Sequence, residues 1–221
     1  MKKAKQCDPD DVDFSNWYDP EKGVEKTIAE VIKARAVKRL EKIYTRRANG
    51  EKNLLDVLGS DLQENASYHV ISGGDIDSLS YLMYIIAQQN LDYCLLSTWC
   101  MALPDVLQFG TWLNEGKIKR LDAYVGEIFI NSYPECWGNL CEILKAHGGR
   151  VCVFRNHSKV FAGTGSKFSF SVESSANINT NPRTENTIIT TSEIMFRFYK
   201  DFFDGINSYD RTFDDWEKWT A

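Results

Sequence analysis

The sequence predicts an α/β fold, in which a mixed, largely parallel sheet is flanked by helices and preceded by an N-terminal helical extension. After residue 60, short apolar runs alternate with longer amphipathic segments, which is the pattern of βαβ units. Two β-like runs then follow each other closely near residue 160, which indicates an antiparallel or mixed end to the sheet. With 43% hydrophobic residues among 221, the chain can bury a core without disulfides.

The N-terminal region is predicted to be a polar arm over residues 1–20, followed by a helix from Gly23 to about Ala48. Apolar residues recur there at helical spacing: Val24, Ile28, Ile32, Ala36, Leu40, Ile43 and Tyr44. The other face is basic, with Lys33, Arg35, Lys38, Arg39, Lys42, Arg46 and Arg47. This basic face is either solvated or in contact with a phosphate backbone or a partner.

The rest of the chain divides into predicted elements, each justified by its length and its apolar period. In order they are the amphipathic segment Asn53–Leu62, strand Tyr68–Ser72, helix Asp75–Gln89, strand Leu91–Ser97, helix Pro104–Glu115, strand Lys117–Phe129, helix Tyr133–Ala146, strand Arg150–Arg155, β-segments His157–Ala162 and Lys167–Glu173, and helix Thr190–Phe203. We therefore expect an N-terminal arm and basic helix (1–65), an α/β domain (66–205) and an acidic C-terminal tail (206–221).

Composition and charge limit the cellular compartments and the binding partners that we expect for the protein. No apolar run approaches the ~18 residues that a membrane span requires, and the basic N-terminus has no apolar stretch behind it, so no secretory signal is expected. The six cysteines form no C-x-x-C pair, which favours free thiols in a reducing cytoplasm. A net charge of −5 argues against a chain that coats nucleic acid everywhere. Residues 22–52 nevertheless carry ten Lys/Arg against four Asp/Glu, which permits a local anionic partner.

One constellation of polar residues carries a chemical prediction. His157 and Lys159 stand two apart at the start of a β-segment, so their side chains share one face of the strand. Ser175 and Asn177 repeat this spacing just after the next β-segment. If the two segments pair as a hairpin, an imidazole, an ammonium, a hydroxyl and an amide converge, which suits a phosphate. The alternative is ordinary turn chemistry, because Ser and Asn also favour loops.

The run His157, Lys159, Ser175, Asn177 and Glu185 resembles the H-x-K…S-x-N…E signature of the phospholipase D superfamily. The resemblance extends over the strand and helix order of one family half-domain. It implies a phosphohistidine intermediate that needs no metal and no cofactor. It also implies that Glu185 holds the second ring nitrogen of His157, which fixes the tautomer.

The sequence departs from the family pattern at two positions and contains the motif once. Thr164 replaces the Asp five residues after the Lys, and Ser174 replaces the Gly before the Ser. Neither His69 nor His147 has a Lys two residues on. The family's one-motif members pair two chains, so a homodimer with both motifs at the interface is expected. In-line displacement also needs a neutral and a protonated imidazole, and two copies supply both near the unperturbed imidazole pKa of about 6.5.

The leading functional prediction is a phosphodiesterase, namely a nuclease acting on nucleic acid, with lipid as another possible substrate. The alternative is a catalytically inactive nucleic-acid-binding or assembly module on the same fold, and the replacement by Thr164 favours that reading. A plain interaction domain is the third reading. Thr98 and Trp99, just past a predicted strand, either reach the same cleft or belong to the core and rim.

Overall fold

The computed structural model describes residues 50, 52–73, 76–178 and 183–220. The predicted arm and basic helix, up to residue 48, lie outside these residues. The strands are β1 (Ser67–Ser72), β2 (Leu91–Thr98), β3 (Leu121–Gly126), β4 (Val151–Phe154), β5 (Val160–Gly165), β6 (Ser169–Ser174) and β7 (Glu185–Thr191). The helices with named bounds are α1 (Ser78–Ile86), α2 (Leu103–Asn114), α3 (Phe129–Ser132), α4 (Pro134–Ala146) and α5 (Glu193–Asp204), and residues 52–58 are also helical.

The seven strands form one mixed sheet in the order β1-β7-β6-β5-β2-β3-β4. Strands β2, β3 and β4 pair in parallel, and the other four neighbouring pairs of the described sheet are antiparallel. The predicted α/β class with a mixed sheet flanked by helices is thus confirmed. The described sheet is less parallel than expected, because β5, β6 and β7 stand as consecutive antiparallel neighbours between β1 and β2.

Strand β7 was not predicted, and it changes the end of the sheet. The sequence pattern assigns Thr190 to the last helix, whereas the structure places it in β7, opposite Ser67 of β1. The helix begins only after Ser192, whose side chain accepts a hydrogen bond from the N–H of Met195 at 3.4 Å. The run from Thr187 to Thr191 is entirely β-branched, and such residues favour strands over helices.

Apolar side chains cover both faces of the sheet. In β2, Cys94 and Leu96 join the larger core cluster, which includes Leu79 of α1 and Leu140 of α4. The alternate residues of β2 point to the opposite face, where a second cluster contains Phe196 and Phe203 of α5. The fold is therefore three layers, with α1, α2 and α4 on one face and α5 on the other. In the described part of the chain, no helix combines the length and apolar composition that a bilayer crossing requires.

The strand directions place several loops on the same side of the sheet, where five strands end and two begin. The pairings make β1, β2, β3, β4 and β6 end at the edge where β5 and β7 begin. We call this row of strand ends the site edge. It is formed by Ser72, Thr98, Gly126, Phe154, Ser174, Val160 and Glu185.

The C-terminal residues pack near the opposite edge, where β3 begins. Asp122 is fully buried and accepts hydrogen bonds from the Tyr93 hydroxyl at 2.8 Å and the Trp216 indole N–H at 3.2 Å. The guanidinium carbon of Arg150 lies 3.7 Å from the centre of the Trp216 ring. Trp219 stacks on Tyr93 with ring centres 4.8 Å apart. The two tryptophans therefore attach the acidic end of the chain to the sheet.

Candidate functional site

His157 and Lys159 both lie in the loop that joins β4 to β5, at the site edge, and the strand predicted to start at His157 begins only at Val160. The His157 side chain is exposed. The Lys159 Nζ lies 3.0 Å from the His157 Nδ1 and donates a hydrogen bond to the His157 carbonyl at 2.7 Å. An ammonium group can only donate, so Nδ1 acts as the acceptor and a neutral ring carries its proton on Nε2. In this arrangement Nε2 is a hydrogen-bond donor.

Lys159 is half-buried, and burial lowers the pKa of its ammonium group from the ordinary lysine value. The nearby Cys100 thiol and the Glu185 carboxylate act in the opposite direction, with a smaller effect. Two further side chains therefore lie within electrostatic range of the cation. Glu185 was predicted as a site residue, whereas Cys100 was not.

Asn156, the residue before His157, holds this loop from beneath. Its side chain is buried, with 6% exposure. The amide nitrogen donates to the Ser97 hydroxyl and to the Tyr124 carbonyl, both at 2.9 Å. The amide oxygen accepts from the backbone N–H of Ser158 at 2.9 Å and from its hydroxyl at 2.7 Å. Asn156 thus links β2, β3 and the loop that carries the histidine, and motif spacing did not reveal it.

Ser175 and Glu185 form the second part of the predicted site, after β6 and at the start of β7. The Ser175 hydroxyl donates to the Glu185 carboxylate and accepts from the N–H of Asn186 at 3.1 Å. The resemblance implied that Glu185 holds a ring nitrogen of His157. In the structure that carboxylate instead accepts a hydrogen bond from Ser175. The Nδ1 of the histidine lies within hydrogen-bond distance of the Lys159 ammonium.

Asn177 follows in the turn after β6 and is half-buried. Its amide oxygen is buried and has no hydrogen-bond partner among the described residues. The turn itself is fixed on both sides. The Ser78 hydroxyl at the start of α1 donates to the Ala176 carbonyl at 2.6 Å, and the N–H of Ala176 donates to the Ser174 hydroxyl at 3.1 Å.

Neighbouring strands hold the two parts of the site side by side. The predicted hairpin is confirmed, since β5 and β6 pair antiparallel with Val160 opposite Glu173. The N–H of Ser174 donates to the Lys159 carbonyl at 3.0 Å, and the N–H of Ser175 donates to the Asn186 carbonyl at 3.0 Å. Because adjacent strands lie about 4.8 Å apart, the backbones that carry the motif are within two strand spacings.

The two departures from the family pattern, Thr164 and Ser174, leave the side chains at the site edge in place. Thr164 lies five residues after Lys159, near the far end of β5, and five residues of extended chain span roughly 16 Å. Its hydroxyl hydrogen-bonds with the Ser169 hydroxyl at 2.8 Å, across the hairpin. The Ser174 hydroxyl hydrogen-bonds with that of Thr187 at 2.8 Å and so ties β6 to β7.

Trp99 directly follows β2 and lies beside His157 at the site edge. Its ring centre lies 5.5 Å from that of His157, with the two planes tilted by 47°. Gly126 lies beneath it, and a Cβ at this glycine would stand 2.9 Å from the Trp99 Cδ1 and 3.1 Å from the Asn156 carbonyl oxygen. Thr98, in contrast, is fully buried and donates to the Cys100 carbonyl at 2.9 Å.

No protein-family model matches the chain, and no curated protein matches its sequence. Among solved structures, it is similar to the crystal structure of polyphosphate kinase from Porphyromonas gingivalis, at 14% identity and a TM-score of 0.48. That match covers 66% of this chain and 27% of the kinase. Phosphatidylserine synthase from Haemophilus influenzae is similar at 15% identity and a TM-score of 0.46, covering 62% of this chain and 37% of the synthase. The chain thus matches between about a quarter and two fifths of the length of these two proteins, and its chemistry must be inferred from its own residues.

Proposed function

We propose that this chain is a metal-independent phosphodiesterase that cleaves nucleic acid through a phosphohistidine intermediate on His157. The observation that carries the proposal is the contact of Lys159 with His157, 3.0 Å between Nζ and Nδ1, at an exposed edge of the sheet. A cation that can bind a phosphate stands beside a nitrogen base that can attack phosphorus. Ser175, Asn177 and Glu185 lie at the ends of the adjacent strands.

The proposed reaction begins when the substrate phosphate attracts the Lys159 ammonium away from the Nδ1 of His157. The ring proton then moves from Nε2 to Nδ1 through solvent, which leaves a lone pair on Nε2. Nε2 attacks phosphorus, and the leaving oxygen departs with a proton from a second imidazole. Water then attacks phosphorus, its proton goes to that second imidazole, and the bond between phosphorus and Nε2 breaks.

Ser175 is proposed to orient the phosphate. Its hydroxyl donates to Glu185 in the free protein, and a bound phosphate oxygen is a competing acceptor for the same proton. The carboxylate also acts to raise the pKa of Lys159, so it favours the charged ammonium before the substrate arrives. The amide nitrogen of Asn177 supplies a further donor from the adjoining turn.

The second imidazole is proposed to come from another copy of this chain. The sequence contains three histidines. His69 lies within β1 opposite Ile188, and the Nδ1 of His147 lies 2.9 Å from the Ile143 carbonyl at the end of α4. Neither belongs to the loop of His157. A symmetric homodimer with two such loops face to face provides both the nucleophile and the acid.

Turnover of bis-p-nitrophenyl phosphate in the presence of EDTA tests the activity. We expect release of p-nitrophenol by the wild-type protein, none above background by His157→Ala, and near wild-type release by His147→Ala. His147→Ala is the matched control, because it also removes one imidazole. Equal turnover by both variants, or turnover abolished by EDTA, would contradict the proposal. Sedimentation should show a dimer, and a strict monomer at tens of micromolar would contradict the shared site.

One observation favours the second candidate, a binding module without turnover. With Lys159 on Nδ1, the Nε2 of His157 is a donor, which suits holding a phosphate without attacking it. For such a module, nucleic-acid binding would survive His157→Ala, and neither form would hydrolyse a phosphodiester.

A further inference from the structure

We propose that Trp99 is the platform on which a nucleobase next to the scissile phosphate stacks, so that the substrate is single-stranded nucleic acid. The inference rests on the proposed function and assigns a base subsite to the same edge of the sheet. Its starting point is the place of the indole, whose ring centre lies 5.5 Å from the imidazole of His157.

Packing of the core does not account for Trp99. Most large apolar side chains of the strands belong to one of the two apolar clusters. Among the described residues, Trp99 belongs to neither cluster, as a buried or as a partly buried member. Its side chain is half-buried. The other tryptophans of the described chain contribute to these clusters or to the Asp122 network, as Trp112, Trp137, Trp216 and Trp219 show. A half-buried aromatic ring beside the exposed His157 has surface to offer a ligand.

The indole is also held in place. Gly126 allows the ring to pack directly on the end of β3, since a Cβ there would meet the Trp99 Cδ1 at 2.9 Å. The backbone on its N-terminal side is fixed because the Thr98 carbonyl accepts from the Asn156 amide at 3.4 Å. The Cys100 carbonyl on its C-terminal side accepts from the Thr98 hydroxyl at 2.9 Å. A ring fixed before binding loses little conformational entropy when a ligand stacks on it.

Charge decides which ligand suits this ring. Aromatic side chains bind planar bases and quaternary ammonium groups alike. Here the Lys159 ammonium contacts the imidazole beside the indole, and a cationic lipid headgroup would be repelled by it. A nucleobase is neutral and is joined to the phosphate that the cation attracts. Its face is free for stacking only when the strand is single.

A pair of oligonucleotides isolates the contribution of the base. Both are single-stranded and identical, except that one carries a tetrahydrofuran abasic residue beside the scissile phosphate. We expect the wild-type protein to cleave the normal strand with a kcat/KM about 5- to 100-fold above that of the abasic strand. Trp99→Leu, which keeps apolar bulk without an aromatic face, should lose this preference and cleave both strands at the abasic rate. Trp99→Phe should retain most of the preference.

The outcomes separate this inference from the proposed function. Equal cleavage of both strands by the wild-type protein, or an unchanged preference in Trp99→Leu, would overturn the stacking assignment while the phosphodiesterase stands. If neither strand is cleaved, the proposed activity fails, and anisotropy of the same labelled strands decides on stacking. A base preference in affinity that Trp99→Leu abolishes supports it, and equal affinities overturn it. Hydrolysis of phosphatidylcholine vesicles that depends on Trp99, without a base preference, also overturns it.

Discussion

The side-chain oxygen of Asn156 accepts two hydrogen bonds from Ser158, from its backbone N–H at 2.9 Å and from its hydroxyl at 2.7 Å. These two residues flank His157. Since the amide nitrogen of Asn156 is bonded to β2 and β3, the position of the histidine loop is coupled to the centre of the sheet. Asn156 is thus a positioning residue, which acts on the proposed nucleophile through its neighbours.

Replacing Asn156 with Ala should therefore affect both stability and rate. The change removes the donor to the Tyr124 carbonyl and the Ser97 hydroxyl in a buried place, which costs about 1–3 kcal/mol of unfolding free energy. We expect kcat to fall while KM changes little, because the phosphate-binding groups remain. Urea unfolding and steady-state kinetics measure the two effects. Asn139→Ala is the matched control, because among the described residues this half-buried Asn bonds only within α4, to the Glu135 carbonyl. Equal kinetics of the two variants would contradict the positioning role.

The pKa of Lys159 predicts the alkaline limb of the pH–rate profile. Burial lowers this pKa, so the ammonium is present below the lowered value and is lost as pH rises through it. We expect kcat/KM to fall at a pH below the ordinary lysine value of about 10.4. In Lys159→Arg the cation persists, so the limb should shift to higher pH even though the maximal rate is lower. An identical limb in both proteins would show that another group titrates.

Gly126→Ala tests the packing beneath Trp99. The added Cβ would stand 2.9 Å from the Trp99 Cδ1 and 3.1 Å from the Asn156 carbonyl oxygen, so the indole or the histidine loop has to move. We expect turnover to fall about tenfold or more, as a misplaced catalytic group costs rate steeply. Gly138→Ala in α4 meets no atom within 4 Å and should stabilise the protein slightly without changing turnover. Equal rates for the two variants would contradict this account.

The buried carboxyl of Asp122 should make the unfolding free energy depend on pH. This effect is separate from the proposed site. Burial raises the pKa of this carboxyl above its ordinary value, so its contribution to stability is complete below the unfolded pKa and is lost as pH rises through the folded one. The unfolding free energy of the wild-type protein relative to Asp122→Asn should therefore decrease between pH 3 and neutrality. Urea unfolding across this range measures it. A difference that grows with pH would mean that the buried carboxylate is net stabilising when ionised.

Local sequence patterns predicted most of the fold, and long-range pairing explains what they missed. The alternation of strands and helices predicted the α/β class because each element has its own apolar period. Strand β7 was missed although its β-branched run, Thr187–Thr191, was a local signal for a strand. Its position between β1 and β6 depends on pairing across the sheet, which local patterns do not specify. Parallel pairing was overestimated for the same reason, since strand order is a property of the whole sheet.

The site shows the same division between local and distant information. The spacing of His157 and Lys159 predicted that their side chains share one face of a strand. The structure instead places both in the loop before β5, where Nζ and Nδ1 lie 3.0 Å apart. The partners of Asn156 lie about 30 and 60 residues away in the sequence, in β3 and β2. The spacing of residues within a short motif therefore cannot identify these partners. A polar residue directly before the motif histidine, and a glycine ending a strand at Gly126, were the available signals.

Trapping of a covalent intermediate tests the central claim most directly. The protein is mixed with a labelled single-stranded oligonucleotide, quenched without acid because a phosphohistidine is acid-labile, and digested for mass spectrometry. The account predicts a nucleotidyl phosphate adduct on the peptide that contains His157, absent from His157→Ala and present in His147→Ala. Turnover with no adduct at any histidine, or an adduct on a different residue, would contradict it.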